Sequence, residues 1–207
     1  MRVTVQTKDR TRKRIVACAK RLFDKKGFEA ATTRDIASAA GIANGTLFNY
    51  FANKETLALS ILDEALIAAE AEFAASVRGG EPLEELLFAH VAVALRHLRP
   101  FRKYVVPVFE STLSPLMTSA VCPEAEVIRL RHLETVRHLI SRPRAPEATD
   151  PSLVTLHLYW ALFLGVLGFW ASDFSRNGED SLALLDRSMR VFAATLPGSS
   201  SKTGVFS

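Results

Sequence analysis

Apolar positions recur at helical spacing along almost the whole chain. Ile15, Cys18, Ala19, Leu22 and Phe23 fall at i, i+3, i+4, i+7 and i+8, which predicts a first helix over 8–26, ended by Gly27. Two short helices at 33–40 and 44–51 follow, then one long Ala-rich helix over 54–78, stopped by Gly79-Gly80. Further helices are predicted at 82–98, 101–113, 123–142, 152–173 and 180–195. The breaks between them carry Pro100, Ser114-Pro115, Pro123, the loop from Pro143 through Pro146 to Pro151, and Asn177-Gly178. No segment sustains the alternation of a strand. The expected fold is all-α with about nine helices. A three-helix head over 1–53 precedes a helical body over 54–196, and the Gly/Ser-rich tail over 197–207 is expected to be disordered.

Thr32 to Lys54, TTRDIASAAGIANGTLFNYFANK, is the most informative stretch. Ile36, Ala37, Ala40, Ile42, Leu47 and Phe51 give its two short helices a small inward face. Thr32 is placed to cap the first of them, with Asp35 completing a capping-box-like pair. Gly41 sits where that helix must stop and the backbone favours a positive φ. This is the pattern of a helix-turn-helix, whose second helix can enter the major groove of DNA. The charge agrees. Residues 1–54 hold 12 Lys/Arg against 4 Asp/Glu, leaving 14 against 18 for the remainder of the chain's 26 and 22. A basic head on an acidic body is the footprint of a phosphate-binding module.

Composition narrows the class. At 207 residues and 48% hydrophobic, the chain can bury a real core. Its two cysteines, Cys18 and Cys122, have no metal-like spacing, and Cys18 lies on the apolar stripe of the first helix. The basic start lacks the apolar core of a signal peptide, so a cytoplasmic address is expected. Leu153–Ala171, LVTLHLYWALFLGVLGFWA, is long enough to cross a membrane. Asp150 and Asp173 bracket it without basic anchors, and a helix apolar all round also fits one shared between a core and a partner interface. The second reading is the expectation, with no membrane partner.

The head resembles a known family. Leu22-Phe23 with Gly27-Phe28, then Thr33-Arg34-Asp35-Ile36-Ala37, then Gly45 through Leu57 look like the TetR family of transcriptional repressors, over roughly residues 10–60. The resemblance implies an all-α homodimer with a DNA-binding head and a small-molecule-responsive body. It points to Arg34, Asn44, Gly45, Thr46, Asn49, Tyr50 and Lys54 as DNA-facing residues. Gly45 lets the backbone approach DNA, Thr46 offers a hydroxyl, and Asn49 can pair with a base edge. Tyr50, Lys54 and Arg34 are expected to position phosphates. The sequence departs from the commonest pattern twice, with Ala43 where Ser often caps the reading helix and Phe48 where Tyr is frequent.

No GxSxG elbow, phosphate-cradling GxxxxGK[ST] or HExxH motif is present, so neither an enzyme nor a metal site is expected, and no cofactor. His90 and His97 share a helix face at i, i+7, and both are read as satisfied or surface residues. The body carries two aromatic stripes. Phe101, Tyr104, Val105, Val108 and Phe109 form one, Tyr159 and Phe163 with Leu167 the other; with His97 they are the expected lining of an effector pocket. Few charges interrupt these stripes, which favours a lipophilic or aromatic effector. For the homodimer, Ala161, Gly165 and Gly168 allow close helix approach, and Leu185, Met189 and Phe192 offer a stripe beside them. The expected function is a regulator released by its effector from a palindromic double-stranded DNA operator. A helical ligand carrier or membrane-associated protein would explain the body but not Thr32–Lys54.

Overall fold

The computed structural model describes residues 5–113, 122–142 and 150–196. The expected breaks at Ser114-Pro115 and Pro143–Pro146, and the expected disorder from Pro197, lie outside these residues. Among the described residues there are nine α-helices and no strand: α1 (Val5–Lys26), α2 (Thr33–Ala39), α3 (Asn44–Phe48), α4 (Lys54–Ser76), α5 (Leu83–Leu98), α6 (Arg102–Leu113), α7 (Pro123–Ile140), α8 (Leu153–Ser172) and α9 (Glu179–Ala194). Short 3-10 turns at Arg99–Phe101 and Arg176–Gly178 precede α6 and α9. The chain is all-α, as its periodicity predicts.

Two compact units are distinguishable: residues 1–65 with 100–128, and residues 66–99 with 129–207. This division falls within α4, between Ala65 and Leu66. The reason on the first unit's side is aromatic. Tyr104 of α6 lies 5.4 Å from Phe23 of α1 and 5.8 Å from Phe28, and Lys20 stands over the Phe101 ring at 4.9 Å. Ile15, Ala19, Phe23, Ile36, Leu47 and Phe51 close the core of the three-helix head. Each large one contributes about 1.5–3 kcal/mol by leaving water.

In the second unit, α9 packs along α5 and α8. The turn between α8 and α9 is pinned by Asp173, whose carboxylate accepts from the Ser175 N–H at 2.7 Å, the Ser181 N–H at 3.0 Å and the Ser181 hydroxyl. Those donors hold its carboxyl well below the usual range.

Candidate nucleic-acid interface

Local sequence builds the helix-turn-helix. The Asp35 N–H donates to Thr32 Oγ1 at 3.1 Å, and the Thr32 N–H donates to an Asp35 carboxylate oxygen at 3.2 Å, a complete capping box. Gly41 takes φ +63°, which turns the chain from α2 toward α3 at no steric cost. The reading helix is shorter than expected: α3 ends at Phe48, and Asn49 and Tyr50 form a turn. Ala43 at its N-cap gives no side-chain hydrogen bond. Asn44 does not take over the cap. Its Oδ1 is buried without a hydrogen-bond partner. Asn53, which sequence reading passed over, caps α4 instead, accepting from the Thr56 N–H at 2.7 Å and the Thr56 hydroxyl at 2.8 Å.

The outward face of this motif is open. Arg34, Gly45 and Asn49 are exposed, and Thr46 and Tyr50 are half-buried. A Cβ added at Gly45 would meet nothing within 4 Å, so the fold of the head does not itself demand glycine there. Phe48 is 46% exposed, a bare ring on the reading helix whose outward position the sequence did not reveal. Lys54 is partly committed within the head. Its ammonium donates to the Phe28 carbonyl at 2.9 Å and the Glu29 carbonyl at 3.4 Å, above the Phe28 ring at 4.3 Å. The sequence placed Lys54 only against phosphate; the lysine also ties the start of α4 to the α1–α2 connection.

The residues expected to line an effector pocket do not gather in one unit. Phe101, Tyr104, Val105, Val108 and Phe109 are buried in the first unit, whereas Tyr159 and Phe163 are buried in the second. Phe101 and Tyr104 pack their rings against the face of α1 described above. The His97 Nε2 lies 2.8 Å from Glu72, which Arg96 also contacts, at a partly exposed surface. A surface cavity of about 350 Å³ is lined by Glu84, Glu85, Phe88, Asp186 and Arg190, and none of the expected pocket residues belongs to it. Among the described residues no group of three His, Cys, Asp or Glu could hold a metal ion.

The expected dimer residues also divide. Leu185, Met189 and Phe192 are fully buried within the single chain, the Phe192 ring 5.5 Å from Tyr159, so they are core residues. Their stripe turns inward because α5 and α8 both need α9 to cover them. Ala161, Gly165 and Gly168, in contrast, lie on the exposed side of α8 with Val154 (77% exposed), Leu158 and Phe169. Only 39% of the most apolar window of α8 is buried, although by length and composition the helix could cross a membrane.

With the geometry in hand, comparison with known proteins is decisive for the head. Residues 15–61 match the family model of bacterial regulatory proteins, tetR family. Over these residues the chain is similar to the TetR family. The HTH-type transcriptional regulator YerO of Bacillus subtilis is 30% identical over 121 residues, 57% of this chain and 39% of YerO. The A-factor receptor protein of Streptomyces griseus is 36% identical over 85 residues, 40% of this chain and 29% of the receptor. The match thus spans well under half of either relative's length. Among solved structures, the TetR-family repressor FadR of Thermus thermophilus, in complex with lauroyl-CoA, aligns with TM-score 0.70 at 21% identity, covering 92% of this chain and 97% of that one. At that identity the likeness is one of fold.

Proposed function

We propose that the protein is a homodimeric, cytoplasmic, non-enzymatic transcriptional regulator that binds a palindromic operator through its 1–53 head. Its 54–196 body carries dimerisation and the response to a small apolar effector, which releases the repressor from DNA. The observation that carries this reading is the outward face of the helix-turn-helix, where Arg34, Gly45 and Asn49 are exposed beside the half-buried Thr46 and Tyr50. The glycine at 45 makes sense if its missing Cβ makes room for something outside the protein.

Asn49 and Thr46 are the base-reading residues in this proposal, with Tyr50, Arg34 and the uncommitted proton of Lys54 on phosphates. Asn44 ranks below them because its Oδ1 is buried. Asn49→Ala is expected to relax the preference at one base position per half-site by about 1–3 kcal/mol, while leaving binding to unrelated DNA unchanged. Competition binding with single-base operator variants measures this. An unaltered base profile would remove Asn49 from the reading set.

FadR shares the fold and holds lauroyl-CoA, which favours a lipophilic effector for this chain as well. An effector acts on DNA binding only through its differential affinity for the two states of the protein.

A further inference from the structure

The second unit contains a buried polar cluster built around Tyr159 and Phe163, with two histidines to which no role above was given. His90 of α5 is 2% exposed, and neither of its ring nitrogens has a hydrogen-bond partner. Its ring centroid lies 5.0 Å from Phe73 of α4 and 4.6 Å from His132 of α7. His132, also buried, shares a 3.0 Å hydrogen bond with the Tyr159 hydroxyl of α8. The His132 ring is 4.4 Å from Phe163 and 5.8 Å from Trp160. Four helices therefore converge on an aromatic cluster in which one imidazole is left without partners.

A core that needed only volume would place an apolar side chain at position 90. Leaving a donor and an acceptor unsatisfied in such surroundings costs stability, so the imidazole needs a reason to be there. Burial holds its pKa down to about 4, so at neutral pH the ring is uncharged and offers one N–H and one lone pair. An anionic group has little to gain beside a neutral ring. Of the cations beside the cluster, Arg131 is engaged with the Glu70 carboxylate at 2.9 and 3.1 Å, and the Arg129 guanidinium lies over the Trp160 ring at 6.0 Å. The complement is an uncharged group that can accept or donate one hydrogen bond.

We propose that His90 is the polar anchor of an effector site for a flat, uncharged apolar molecule bearing a hydroxyl or carbonyl oxygen. That oxygen bonds the His90 ring, and the apolar part lies against Phe73, Trp160 and Phe163. The rings are in contact without a ligand, so entry requires them to part, and binding is coupled to an opening of the body. The site deepens, and rests on, the reading of the protein as an effector-responsive regulator.

The test uses the full-length protein, with 2-naphthol, 4-hydroxybiphenyl and 2-acetylnaphthalene as oxygen-bearing probes and naphthalene and biphenyl as controls. Without ligand, His90→Leu is expected to melt a few degrees above the unmodified protein, because two orphaned polar atoms are gone. At least one oxygen-bearing probe should raise the melting temperature of the unmodified protein and not that of His90→Leu, with His90→Gln retaining part of the shift. The two hydrocarbons should treat all three proteins alike. A lower melting temperature for His90→Leu, or probe shifts that do not depend on residue 90, overturns the proposal. DNA binding, measured alongside, separates the two readings: failure of the unmodified protein to bind any operator refutes the regulator and leaves the His90 result to stand or fall by itself.

Discussion

Gly165→Arg is expected to convert the protein to a monomer and weaken operator binding by about 10²–10⁴-fold, the gain that two linked contacts ordinarily provide. α8 buries Leu156, Tyr159, Trp160, Phe163, Val166, Leu167 and Trp170 against its own chain. It leaves Val154, Leu158, Ala161, Gly165, Gly168 and Phe169 uncovered. An apolar stripe of that length on one helix calls for a partner. In a two-fold dimer the same face meets its own copy, and the small residues at 161, 165 and 168 let the backbones come close. Within the protomer a Cβ at position 165 meets nothing within 4 Å, so the arginine has room in the isolated fold. The effect should therefore fall on assembly, not on folding. Sedimentation at micromolar concentration with and without the substitution measures it. A variant that remains dimeric, or an unmodified protein that is already monomeric, places the stripe in some other contact, including a lipid surface.

Acid is expected to destabilise the body before the carboxylates titrate. Unfolded, the His90 imidazole takes up a proton near its ordinary value of 6.5; folded, burial delays this to about 4. Between those values the unfolded chain binds more protons, so stability is fully present above pH 6.5 and falls as the pH drops. His90 alone accounts for about 2 kcal/mol lost by pH 5 and about 3 kcal/mol by pH 4. His132 adds a loss of the same sign, its pKa pushed down by burial, then by His90 and Arg131. Asp173 acts in another window: its depressed carboxyl stabilises the fold above the ordinary value of 3.8 and gives way only below it. Urea unfolding at pH 7 and pH 5 isolates the histidines, and His90→Leu should remove about half of the difference, the His132 share remaining. A midpoint unchanged between pH 7 and 5 would mean that the two rings are not held neutral by burial.

The head is legible in the sequence because its signals are local. Thr32 and Asp35 are three residues apart and need no other part of the chain to form their capping box, and Gly41 needs only its own backbone. All nine helices are likewise legible from period and punctuation, with ends shifted by a few residues where the last turn loosens, as at Phe48 to Tyr50. What a stripe touches is a different matter. Leu185, Met189 and Phe192 satisfy the same periodicity whether they face a partner or α5 and α8. Tyr104 and Phe101 read as a pocket stripe from periodicity alone, and only the fold shows Phe23 and Phe28 against the Tyr104 ring and Lys20 over the Phe101 ring. His90 is the sharpest case. A histidine on an apolar helix face is ordinarily satisfied, and its isolation emerges only when α4, α5, α7 and α8 surround it.

The central claim is that residues 33–50 read a specific, two-fold symmetric DNA sequence. Selection of duplexes from a random-sequence pool by the purified protein tests it most directly, followed by titration of the enriched duplex from about 50 to about 200 mM salt. The expected result is an inverted-repeat sequence whose affinity falls by about 10³-fold or more over that range, with base preferences that Asn49→Ala relaxes in both half-sites. A pool that remains indistinguishable from its starting composition at every salt concentration contradicts the claim.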